Sequence, residues 1–155
     1  MSVVQFIKNK VMKKIVLFAV AMFSMVFYAL ADDRPVSYDR IPESAREFIS
    51  SNFPSDKFLF ATVDDDLIRP DYTVVLESGM TLGFASDGSL DKIEAGRTAI
   101  PVSILPVQIA EYVDRHYPGS SYRSYDIDRR GYEVELSNGM ELKFNKGFAL
   151  VEVDL

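Results

Sequence analysis

His116 is the only histidine in the chain, and histidine is the side chain best suited to proton transfer near neutral pH. Catalysis would need a nucleophile or a second acid–base group beside it. There is no cysteine, so a Cys–His pair is impossible, and there is no Gly-x-Ser-x-Gly elbow. His116 sits where an upstream matching segment has Asn52, near a helix end and just before a proline. Polar side chains at such places cap carbonyls or face solvent, so the expected role is structural. Asp64-Asp65-Asp66, with Asp71 nearby, is the densest acidic cluster. Clustered carboxylates can hold calcium, which makes Asp64, Asp65 and Asp66 the metal candidates. Their spacing is not the Asp-x-Asp-x-Asp-Gly loop with a distal Glu, and Leu67-Ile68-Arg69-Pro70 follows directly. A solvated hairpin loop is expected there, and the same holds for the sparser Asp126 and Asp128. No catalytic residue, no metal site and no cofactor is assigned, and no enzymatic activity is expected.

The elements that carry these residues come in two matching sets. Ile41-Pro42 through Phe53-Pro54 is echoed by Leu105-Pro106 through Tyr117-Pro118, at an offset of 64 residues. Tyr72 through Phe84 is echoed by Tyr132 through Phe144, at an offset of 60. Such an internal repeat bounds the architecture before any local assignment. Each unit opens on a helix. Ile41, Ala45, Phe48, Ile49 and Phe53 form an apolar stripe of helical period, as do Leu105, Ile109, Tyr112, Val113 and Tyr117. Pro42 and Pro106 fit the first turn, Asp39 and Ser103 are candidate caps, and Pro54 and Pro118 end the helices. Four strands should follow each helix, with hairpins at Ser78-Gly79, Asp87-Gly88 and Asn138-Gly139. The expected fold is α+β: a duplicated αββββ unit, two helices on one face of an antiparallel sheet of about eight strands. The repeats span about 41–96 and 104–155, and residues 32–40, which hold Pro35, read as a polar leader. Units this small and without disulfides need a shared core.

The other sheet face is then open, and its halves differ. The second half places Glu133, Glu135, Glu141 and Lys143 outward, whereas the first has Thr73, Val75, Thr81 and Gly83. Strand parity extends this contrast. Asp126 and Asp128 are costly to bury, so Tyr122, Ser124, Asp126 and Asp128 should face outward, with Tyr125 and Ile127 inward. Carried back by 64 residues, that parity puts Phe58, Phe60 and Thr62 on the open face. Phe58, Phe60, Tyr122, Thr73 and Val75 are therefore the candidate partner-binding residues. A β-bulge would reverse the parity and return both phenylalanines to the core.

The N-terminus carries Lys8, Lys10, Lys13 and Lys14, then 17 uncharged residues from Ile15 to Ala31, ending Ala29-Leu30-Ala31. A basic start, an apolar run and a small-x-small end read as a secretory signal peptide over 1–31; an uncleaved anchor is the alternative. Removal would take Lys plus Arg from 17 to 13 against 23 Asp plus Glu, a net charge of −10 over 32–155. So acidic a chain is a poor ligand for nucleic acid or an anionic bilayer, and no membrane insertion is expected after cleavage.

The paired helices, the two Tyr-x-Val-x-Leu strands and Phe84-Ala85-Ser86-Asp87-Gly88 resemble the tandem PepSY-like, β-lactamase-inhibitor-like family of secreted bacterial proteins. The resemblance spans nearly all of 32–155. It implies an α+β repeat acting by binding another protein, inhibition included, and it brings no catalytic residues. The inhibitor proper has a disulfide in each repeat and this chain has none; its second turn, Asn145-Lys146-Gly147, is also shifted by one. Inhibition of a β-lactamase is therefore not implied. The expected function is a periplasmic or secreted non-catalytic binding module that uses the open sheet face toward another extracytoplasmic protein, a protease or other hydrolase among the candidates. The alternative is a small-molecule or metal-ion sensor of the cell envelope. N-terminal sequencing of the exported protein should begin at Asp32; recovery of the uncut chain in the membrane would disprove cleavage.

Overall fold

The apolar stripes become two short helices of equal length, α1 (Glu43–Asn52) and α2 (Val107–His116). The computed structural model describes residues 33–64 and 71–155; the 1–31 segment and Asp65 and Asp66 lie outside the described residues. Ile41, Ala45, Ile49 and Phe53 of the first stripe are buried, as are Leu105, Ile109 and Val113 of the second. The capping differs from expectation. Pro42 and Pro106 occupy the N-cap positions without a side-chain cap bond. Asp39 and Ser103 lie in 3-10 turns, Tyr38–Arg40 and Val102–Ile104, that lead into the helices. Proline preorganises the extended entry that a side-chain cap would otherwise hold. At the other end, Phe53 and Tyr117 donate the last helical bonds to Ile49 and Val113, and the prolines that follow have no N–H to continue.

Nine strands follow chain order across one sheet: β1 (Asp33–Val36), β2 (Phe58–Asp64), β3 (Asp71–Leu76), β4 (Thr81–Phe84), β5 (Leu90–Glu94), β6 (Tyr122–Ile127), β7 (Gly131–Leu136), β8 (Glu141–Asn145) and β9 (Leu150–Asp154). Pairing is antiparallel from β2 through β9. The expected eight strands become nine because β1 arises in the stretch read as a leader; Pro35 is tolerated there because β1 is an edge strand. The halves meet where β5 pairs with β6, with Ile93 opposite Tyr125. Both are buried, and the core runs without a break from Ile41 and Val74 to Leu142 and Phe144. No polar or charged residue is buried among the described residues.

Register shifts recur at matching places, between Phe58 and Phe60 and between Tyr122 and Ser124, then between Gly83 and Phe84 and between Lys143 and Phe144. The second turn of each half uses one left-handed residue. In the first it is Gly88 (φ 80°); in the second it is Phe148 (φ 63°), 60 residues on. A bulky residue in that region costs about 1–2 kcal/mol. Phe148 is held there by stacking on Tyr132 at 5.1 Å, which in turn stacks on Tyr125 at 6.3 Å. Gly88 cannot be exchanged in the same way, because the start of α1 lies against it. Ser44 Oγ donates to the Asp87 carbonyl at 2.8 Å, and a Cβ on Gly88 would lie 2.9 Å from Pro42 Cβ.

Gly88→Ala should cost about 2 kcal/mol or more in a denaturant melt, since it adds both left-handed strain and overlap with α1. A fragment of residues 32–98 should show no cooperative melt, because it exposes Ile93 and the β5 edge; a sharp transition would mean that each half holds its own core.

Candidate binding face

The bulge at the start of β2 decides which side chains reach the open face. Phe58 lies opposite Leu76 and Phe60 opposite Val75, so Leu59 is the extra residue. Phe58 consequently turns toward the helices, where its ring meets Tyr38 edge-on at 5.2 Å. The same shift places Tyr122 opposite Leu136, and Tyr122 is buried. The parity expected for Phe58 and Tyr122 is thus corrected: both belong to the core side. An extra residue on one strand flips every side chain beyond it, and alternation read from Asp126 could not extend past it. Inward-facing Tyr125 is as expected, buried with its hydroxyl pKa pushed up by desolvation.

What reaches the open face of the first half is Leu59 (58% exposed) and Phe60 (49% exposed), beside partly exposed Thr62, Thr73, Val75, Thr81 and Gly83. Val75 lies directly opposite both Phe60 and Thr81. No described element covers this strip, since both helices use the other face. Leu59 was not anticipated; the unbroken apolar run Phe58-Leu59-Phe60, out of step with an alternating strand, is the signal that could have found it.

From β5 onward the face is charged. Lys92 Nζ lies 2.9 Å from Glu94 and 3.4 Å from Asp126. Lys143 Nζ lies 2.9 Å from Glu152, 3.1 Å from Asp154 and 3.2 Å from Glu141, and bonds to these carboxylates hold its pKa above the ordinary lysine value. Two cross-strand pairs are of like charge: Asp126 opposite Glu133, and Glu135 opposite Glu141. Partial burial raises the Glu133 carboxyl pKa, and the Glu141 carboxylate raises it further. An open depression of about 390 Å³ runs over this row, with Lys92, Ser124, Glu133 and Glu135 in its lining.

The residues singled out for chemistry are placed apart. His116 is exposed at the end of α2; its Nδ1 lies 2.8 Å from the Tyr112 carbonyl and its ring stacks on Tyr112 at 4.1 Å. Asn52 does the same in the first half, donating to the Phe48 carbonyl at 2.9 Å. Asp128 closes a turn: its carboxylate accepts the backbone N–H groups of Gly131 and Arg130, which lower its pKa. Asp64 ends β2 opposite Asp71 at the mouth of the first hairpin. Among the described residues no three carboxylate or imidazole side chains come together closely enough to hold a metal ion. No described helix is long and apolar enough to cross a membrane.

Known structures share this architecture. A candidate periplasmic protein of the DUF2874 family from Bacteroides vulgatus ATCC 8482 is 32% identical with a TM-score of 0.77, over 81% of this chain and 98% of its own. A candidate calcium-regulated periplasmic protein from Bacteroides thetaiotaomicron is also 32% identical with a TM-score of 0.77, over 80% and 98%. A candidate periplasmic protein of unknown function from Bacteroides vulgatus ATCC 8482 is 27% identical with a TM-score of 0.75, over 79% and 99%. No curated protein matches the chain. The profile of the PepSY-like, β-lactamase-inhibitor-like family matches residues 70–152, most of both β hairpin sets together with α2. With that match and neighbours 32% identical over nearly their full length, the chain belongs to the PepSY-like, β-lactamase-inhibitor-like family.

Proposed function

We propose that the protein is an extracytoplasmic, non-catalytic binding module, made of one unit used twice, that engages another protein through the open face of its sheet. The observation that carries this reading is the uncharged strip on β2–β4, where Leu59 and Phe60 are exposed beside partly exposed Val75, with no described element over them. Apolar side chains gathered on one exposed face are more often a contact surface than chance, and aromatic residues anchor such surfaces. The periplasmic descriptions of the structural neighbours and the signal-like N-terminus support an extracytoplasmic setting. Inhibition of a hydrolase is one form that such binding could take, and the family description supports looking for it.

A second reading, cation sensing, is supported by the Bacteroides thetaiotaomicron neighbour, described as calcium-regulated, and by the Asp64-Asp65-Asp66 run. It predicts a melting temperature that rises with calcium and not with equal magnesium.

The first reading separates two phenylalanines that are neighbours in sequence. Phe60→Ser with Val75→Ser should cost no more than about 1–2 kcal/mol, because Phe60 is half exposed and Val75 partly exposed. It should also release a partner captured from the envelope fraction. Phe58→Ser should cost about 3 kcal/mol, as loss of a packed aromatic ring does. Retention of the partner by the Phe60/Val75 variant would overturn the binding face.

A further inference from the structure

Strand β9 repeats β5 at an offset of 60 residues, and in the same register. Lys92 and Ile93 lie opposite Gly83 and Leu82; Glu152 and Val153 lie opposite Lys143 and Leu142. The outer edges of the two strands differ. β5 is covered by β6: Tyr125 lies opposite Ile93, Asp126 opposite Lys92, and just past the strand Ala95 donates its backbone N–H to the Arg123 carbonyl at 2.7 Å. Ile93 is fully buried there. Among the described residues no strand pairs with the outer edge of β9. Val153, on the helix side of the sheet as Ile93 is, is 41% exposed, and Leu155, the match of Ala95, is fully exposed. The second half thus presents the edge by which the first half receives a strand, with its apolar side chains uncovered by any described element.

We propose that the outer edge of β9 is a strand-addition site. It takes an extended segment of another protein, antiparallel to β9, with a large apolar side chain beside Val153 and a lysine or arginine beside Glu152. In such a site main-chain hydrogen bonds supply affinity and the alternate side chains supply specificity. The β5–β6 seam is the template for both requirements. Tyr125 shows what covers the apolar position. The charged position follows from a reversal of sign: the seam sets Lys92 3.4 Å from Asp126, and the match of Lys92 is Glu152. Lys143 lies 2.9 Å from Glu152 but serves Glu141 and Asp154 as well, three carboxylates to one ammonium, so that face favours a further cation. A second copy of β9 would offer acidic side chains there and not basic ones. The partner is therefore a different chain with a basic, apolar extended segment.

The chain supplies its own probe. A peptide of residues 121–128 contains the strand that β5 accepts, and Asp126→Lys in that peptide fits it to Glu152. Titrated against the whole protein, the Asp126→Lys peptide should bind, and the unaltered peptide should bind about threefold or more weakly. N-methylation of the Tyr125 amide in the Asp126→Lys peptide should abolish binding, because Arg123 and Tyr125, two residues apart, turn their backbone groups to the receiving strand. In the protein, Val153→Pro removes the matching outward N–H, spares the pairing with β8, and should weaken binding about tenfold or more. The N-methylated peptide acts on the unaltered protein, so its result holds even where Val153→Pro impairs folding. Binding that survives N-methylation, equal binding of the two peptides, or no binding of the Asp126→Lys peptide by about 1 mM would overturn the proposal. So would a dimer of the parent that Val153→Pro dissolves, since a second copy would then hold the edge. Phe60 and Val75 take no part in these measurements, so the open-face reading stands or falls separately on its own variants.

Discussion

The pairing of β5 with β6 is the contact on which the rest of the molecule depends. It joins strands that belong to different halves and are separated in the chain by α2. Ile93 and Tyr125 meet there with almost no exposure, and through them the two helix-covered pockets of apolar side chains become one core. Without that seam each half would leave a helix and four short strands to bury a handful of residues, too little for a chain with no cross-links. The same pairing also makes the opposite face continuous, so an uncharged strip and a charged one lie side by side on a single surface.

The fold was largely legible in the sequence because its signals are periodic. Helical stripes, turn pairs and alternating strands recur, and each half supports the reading of the other. Single-residue irregularities were not legible. The bulges at Leu59 and Arg123 carry no turn residue or glycine to mark them, and they decide the direction of Phe58 and Tyr122. The candidate set was therefore split by the structure, with Phe60, Thr73 and Val75 on the open face and Phe58 and Tyr122 in the core. Strand β1 was missed because its residues are polar and include a proline; it is defined by the sheet edge beside it and not by a pattern of its own. The acidic row was visible as outward-facing residues, but which carboxylates oppose each other depends on register, which only the paired strands reveal.

The two halves use the same positions for different ends. Where the first keeps Gly88 so that α1 can lie against the turn, the second holds Phe148 in the same left-handed state and stacks it on Tyr132. Where the first has threonine and valine on its outer face, the second has glutamate and lysine. The shared positions are those that the core requires; the differences lie on the open face and at the turn where each half packs a different neighbour.

The Lys143 cluster has a bearing on how many such molecules can be kept together. Strand β9 ends the sheet, and among the described residues no strand pairs with its outer edge, where Val151 and Val153 are exposed. An edge strand with exposed valines invites pairing with another strand. Glu152 and Asp154 alternate with those valines, and Lys143 holds both in place at 2.9 and 3.1 Å from the neighbouring strand. A second copy approaching edge to edge would bring its own Glu152 and Asp154 against them. The ion cluster thus sets charge along the open end of the sheet, where charged side chains disfavour edge-to-edge pairing.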